Sequence, residues 1–165
     1  MFYEPGDPAT EYRSGDFVER IRPGAFDKVI DSGADVAGLF NHDGGQILGR
    51  RSADTLALTV DNRGLKFAIP YDEADPDHVR VGRKIEKGEL RGGSIGFANP
   101  KQQWEGRIRN LIEIPLIEVS IVLDPAYAGT SIGMRANEST NLRDEYARFQ
   151  RVRSTLLMLE IDGAT

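Results

Sequence analysis

The chain has 165 residues, enough for a domain that buries about 70 % of its unfolded surface and needs no covalent staple. It has no cysteine, which removes disulfide scaffolds, thiolate metal sites, thiol redox chemistry and cysteine nucleophiles together. A net charge of −5 argues against nucleic acid as the main partner, and no apolar run or basic leader reads as a membrane span or secretion signal.

The 18 glycines fall between short apolar runs, a spacing that predicts a strand-rich fold with tight turns. Residues 1–15, rich in Pro, Gly, Asp and Glu, read as a surface loop. Phe17–Ile21 reads as a short strand. Pro23 opens a brief helix with Phe26, Val29 and Ile30 on one face and Gly33 as its stop. Val36–Phe40 reads as a buried strand running into the polar turn Asn41-His42-Asp43-Gly44-Gly45. The clearest hairpin follows: Leu56, Leu58 and Val60 alternate, residues 61–64 turn, and Leu65, Phe67 and Ile69 alternate back. Asp75-Pro76 is an N-cap and first helical residue, so a helix is predicted over 76–87 with Gly88 just beyond it. Residues 91–98 read as a glycine-bearing strand. The apolar tract 107–123, broken by Pro115, reads as two strands, closed by Asp124-Pro125-Ala126-Tyr127. Beyond residue 140 the pattern changes. Leu142, Tyr146, Phe149, Val152, Leu156 and Leu159 recur at helical spacing, predicting an amphipathic helix over about 140–160. The division expected is a strand-rich domain over 1–134 and a helix with tail over 135–165.

Three residues stand out chemically. His42 and His78 are the only histidines, so any imidazole chemistry must use one of them. His78 sits among Asp75, Asp77 and Arg80 and reads first as a solvated helix residue. With Asp72, Glu73, Asp75 and Asp77 it is also the only metal-site alternative, although that acidic cluster reads better as a helix cap. His42 ends a buried strand in a glycine-rich turn, as a turn residue or a base. Ser94 lies between Gly92-Gly93 and Ile95-Gly96-Phe97, where glycines allow close approach of another chain; a glycine-rich bulge explains the pattern equally well. Glu118 belongs to Leu116–Val122, apolar on both faces, and an ionised carboxylate inside costs several kcal/mol unless paired. Histidine is one natural partner and an arginine at the sheet rim is another. Taken together, a serine, a base and an acceptor that fixes the base's tautomer make a coherent nucleophilic set.

Several blocks resemble the caudovirus prohead protease family: Ile21-Arg22-Pro23-Gly24-Ala25-Phe26; Leu39-Phe40-Asn41-His42-Asp43 with Ile47-Leu48-Gly49-Arg50; Gly64-Leu65-Lys66-Phe67; the run from Lys87 to Phe97; Leu116–Val122; and Asp124-Pro125-Ala126-Tyr127 with Thr130. They occur in family order over residues 17–131. The resemblance implies a mainly β, α+β fold like the herpesvirus assemblin proteases, an antiparallel β-barrel surrounded by short helices. It implies a serine endopeptidase that cleaves scaffold and major capsid protein precursors inside the procapsid, in the cytoplasm of the host, without a cofactor. The matching positions make Ser94 the nucleophile, His42 the general base and Glu118 the third member, where the herpesvirus enzymes carry a second histidine. The dimeric herpesvirus enzymes also suggest a homodimer through the 140–160 helix. Neither nucleic acid nor membrane is an expected partner. Two departures stand against the family pattern. The first barrel strand is absent, altered or supplied by Met1–Tyr3, and Gly93 precedes the serine where a methionine is common. The competing reading is a catalytically silent capsid-assembly or scaffold protein with the same fold.

Overall fold

The computed structural model describes residues 1–134, and within them the strands divide among three sheets. The first has the order β1 (Glu11–Arg13), β2 (Val18–Ile21), β9 (Ile108–Glu113) and β8 (Lys101–Glu105). The second has the order β4 (Asp43–Arg50), β3 (Ala37–Phe40), β10 (Leu116–Val122) and β7 (Gly92–Phe97). The third is the predicted hairpin, β5 (Ala57–Asp61) and β6 (Gly64–Ala68), with Leu58 opposite Phe67 and Val60 opposite Leu65. Two helices accompany them, α1 (Asp27–Asp31) and α2 (Pro76–Glu86).

Local signals account for these elements. Asp75 accepts the N–H groups of Asp77 and His78 with its side chain, Pro76 is the first residue of α2, and Gly88 leaves the helix at φ +70°. This is the cap, first-turn proline and left-handed exit that helices favour. Pro115 separates β9 from β10 because a proline cannot donate within a ladder. The main core joins both large sheets, α1 and the hairpin through Ile21, Phe26, Val29, Leu58, Leu111 and Val119. A smaller cluster of Phe40, Leu48, Val81, Leu90 and Ile121 seats α2 against the second sheet.

The α+β class is as expected, but the sheets are not closed into a barrel. No ladder joins the three sheets, and β2–β9 and β3–β10 pair in parallel rather than antiparallel. The edges explain the opening. Every residue of β8 is exposed. At the start of β7 the outer neighbour is a loop, with Ile132 N–H on the Arg91 carbonyl at 3.0 Å and Gly93 N–H on Thr130 Oγ1 at 3.3 Å. Other expectations also shift. Residues 1–15 carry a 3₁₀ turn, β1 and the buried Phe2, which stacks on Phe26. Met1–Tyr3 forms no strand, although Phe2 N–H reaches the Arg63 carbonyl and Tyr3 N–H the Ile21 carbonyl. Polar β4 and β8 were not foreseen. Ile117, expected to be buried, is 55 % exposed because a bulge between Leu116 and Glu118 breaks the alternation of β10. The helix expected over 140–160, and with it the dimer surface, lies outside the described residues. Among those residues no helix is long and apolar enough to cross a membrane.

The loop after β10 is anchored by a buried polar group. Tyr127 donates its O–H to Glu19 Oε1 at 2.8 Å, and Arg109 donates to Oε2 of the same carboxylate at 2.9 Å. Burial, reinforced by the Glu19 charge, pushes the Tyr127 phenol far above its ordinary range, so it remains a donor. Tyr127→Phe removes a bond to a charged acceptor and is expected to cost about 2 kcal/mol. Urea unfolding should show a lower midpoint with an unchanged slope.

Candidate active site

The site begins with a turn. Phe40 pairs with Asp43 across β3 and β4, leaving Asn41 and His42 as a two-residue connection. Both are left-handed, at φ +50° and +60°, as a tight hairpin of the primed type requires. Glycine is the usual occupant of the second position. A histidine there costs on the order of 1–3 kcal/mol and holds the imidazole outward at the sheet's end. Three bonds fix the turn: Asn41 N–H to the Ile121 carbonyl at 2.9 Å, Leu123 N–H to Asn41 Oδ1 at 3.3 Å, and His42 N–H to Ser120 Oγ at 3.2 Å.

Strand β10, flanked by β3 and β7, brings the carboxylate to the ring. Glu118 Oε1 lies 2.6 Å from His42 Nδ1, with the Glu118 side chain 10 % and the His42 side chain 46 % exposed. A carboxylate at that nitrogen accepts Nδ1–H, which leaves the Nε2 lone pair to take a proton. The other oxygen, Oε2, accepts the Ser120 hydroxyl at 2.5 Å. Glu118 is therefore buried with partners on both oxygens, one of them the histidine that the sequence suggested.

Ser94 stands on the neighbouring strand, directly opposite Ser120, and Gly96 stands opposite Glu118. Cross-strand partners share a face, so Ser94, Glu118 and Ser120 all lie on one side of the sheet. Ser94 is half-buried, whereas Ser120 is completely buried. Neither Ser94 Oγ nor His42 Nε2 makes a hydrogen bond to a described residue. Such contacts are commonly long without substrate and tighten when it binds. A Cβ on Gly96 would overlap Glu118 Oε1 and stand 2.9 Å from the carboxyl carbon. The glycine thus leaves the space that the carboxylate fills.

A family model described as caudovirus prohead serine protease matches residues 7–145. The chain belongs to that family. Neither a curated protein nor a solved structure matches it.

In this prohead serine protease family member, His78 occupies a structural position. Its side chain is 11 % exposed rather than solvated. Nε2 meets the Leu48 carbonyl at 2.7 Å and Nδ1 accepts the Asp72 N–H at 3.1 Å, tying α2 to β4. With both ring nitrogens occupied, it offers no lone pair to a metal or a nucleophile. Three of the four acidic residues nearby are similarly engaged: Asp72 accepts from Ala74 N–H, Asp75 caps α2 and Asp77 pairs with Arg80. Among the described residues no group of three or more side chains could hold a metal ion.

The structural roles of Ser120 and Gly96 were missed from the sequence. The signal for the first was the two-residue spacing from Glu118, which puts both side chains on one face of a strand. The signal for the second was a glycine inside a strand. Gly96→Ala is expected to lower stability without unfolding the chain, since the added Cβ meets Glu118 at Oε1, the carboxyl carbon and Cγ, and the buried carboxylate has to shift. It should lower turnover roughly ten-fold or more, because the carboxylate must leave the ring. Circular dichroism alongside a cleavage assay reads both effects, and unchanged turnover in a folded variant contradicts the expectation.

Proposed function

We propose that the chain is a serine endopeptidase that cleaves scaffold and capsid precursor proteins inside the procapsid, with Ser94 as nucleophile, His42 as general base and Glu118 as the group that orients the base. The observation that carries this reading is the 2.6 Å contact between His42 Nδ1 and Glu118 Oε1, beside a half-buried serine on the adjacent strand. Glu118 holds Nδ1–H, His42 Nε2 takes the Ser94 proton, and Ser94 Oγ attacks the scissile carbonyl. The protonated imidazole then donates to the leaving amine, and water repeats the sequence to release the acyl group.

Ser94 is favoured over Ser120 because Ser120 is fully buried and already donates to Glu118. The loop after β10 supports the reading as well. The Pro125 ring lies against Gly92, and Thr130 Oγ1 accepts the Gly93 N–H, so a segment able to present backbone donors to an oxyanion flanks the nucleophile strand. The alternative, a catalytically silent assembly protein, draws on the lack of a direct Ser94–His42 hydrogen bond. A fluorophosphonate probe separates the two. The protease reading expects covalent labelling that maps to Ser94 and requires folded protein; a silent module stays unlabelled.

A further inference from the structure

Ser120 is completely buried, yet its hydroxyl is not merely satisfied by the nearest carbonyl. It accepts the His42 backbone N–H at 3.2 Å and donates to Glu118 Oε2 at 2.5 Å. One oxygen therefore spans the two groups that meet again at 2.6 Å through the His42 ring and Glu118 Oε1. The result is a closed ring of contacts: His42 backbone, Ser120 hydroxyl, Glu118 carboxylate, His42 imidazole.

We infer that Ser120 is a positioning residue of the catalytic group, holding the His42 turn and the Glu118 carboxylate in one fixed relation; this rests on the reading of Ser94, His42 and Glu118 given above. Two features make the hydroxyl consequential. The His42 backbone is left-handed at φ +60°, a conformation that needs outside support in a residue with a side chain, and Ser120 supplies it at the N–H. Glu118 has several rotatable bonds, and a carboxylate held by one oxygen alone is freer to swing away from Nδ1. Donation from Ser120 holds Oε2, and Gly96 leaves room for Oε1 on the other side. Alanine at 120 would free both oxygens to rotate and leave the His42 N–H without its acceptor. The base would then spend less time in the orientation and tautomer that can accept a proton.

The test uses the folded chain and a fluorophosphonate probe, with labelling followed against probe concentration. Ser120→Ala should reduce the maximal labelling rate at Ser94 by about 10- to 100-fold, part of what a general base contributes, with the half-saturating probe concentration unchanged. A serine that only filled space would lower the melting temperature and leave that rate alone. Labelling of Ser120→Ala at the wild-type maximal rate overturns the inference while leaving the nucleophile assignment standing. Wild-type protein that is folded and unlabelled at Ser94 overturns the assignment and the inference with it. If Ser120→Ala does not fold, amide exchange in the wild-type chain decides. A His42 N–H slowed about ten-fold or more relative to an open turn upholds the bond to Ser120, and free exchange overturns it.

Discussion

Replacing Ser94 with alanine is expected to abolish processing of a scaffold precursor while leaving the molecule as stable as before, within about 1 kcal/mol. The site predicts this separation. Ser94 is half-buried on an edge strand and its hydroxyl holds no other described residue in place, so its removal leaves no buried partner unsatisfied. On the proposed mechanism the chemistry depends on it entirely, since loss of a nucleophile from a coupled serine–histidine pair lowers turnover on the order of 10⁶-fold in the subtilisin case. Processing followed on gels, together with urea unfolding of both proteins, gives the two numbers. Processing by Ser94→Ala at the wild-type rate would place the nucleophile elsewhere.

Glu118→Gln carries the second large effect. In the parent protein Oε2 accepts from the Ser120 hydroxyl and Oε1 faces His42 Nδ1. A glutamine has only one acceptor oxygen, and the Ser120 O–H competes for it. With that oxygen turned to Ser120, the amide NH₂ points at Nδ1 and favours the tautomer whose proton sits on Nε2, where the base must be empty. The analogous change in trypsin lowers turnover about 10⁴-fold through the wrong tautomer, and a loss of roughly 10²- to 10⁴-fold is expected here. The fold should survive, because the substitution buries no new charge. Steady-state cleavage rates of Glu118→Gln and His78→Ala provide the comparison. A silent Glu118→Gln beside an inactive His78→Ala would transfer the third role to His78, contrary to the bonds that engage both His78 nitrogens.

What could be read from the sequence was what local chemistry writes into it. The hairpin around residues 61–64, the Asp75-Pro76 start of α2 and the break at Pro115 each depend on a few adjacent residues, and each stands where those residues put it. Strands β4 and β8 escaped notice because they are edge strands made largely of glycine and polar residues, with no alternation to mark them. The barrel came from a resemblance rather than from any pattern in the chain, and the pairing of strands distant in sequence decided against it. At the site, the scarcity of histidine pointed to His42, and the cost of a carboxylate in an apolar strand pointed from Glu118 to a partner. The bond from His42 N–H to Ser120 could not be read in this way. It joins residues 78 positions apart and uses a backbone group that carries no sequence signature.

The left-handed His42 also bears on how this protein would respond to engineering. Position 42 is one where glycine would relieve backbone strain. A screen that scores only soluble yield or heat resistance would therefore reward His42→Gly, and would select a sturdier molecule from which the imidazole had been removed. With His42 as the proposed base, directed evolution of this scaffold has to read turnover in every round, because thermal robustness and chemical competence make opposite demands on the same residue.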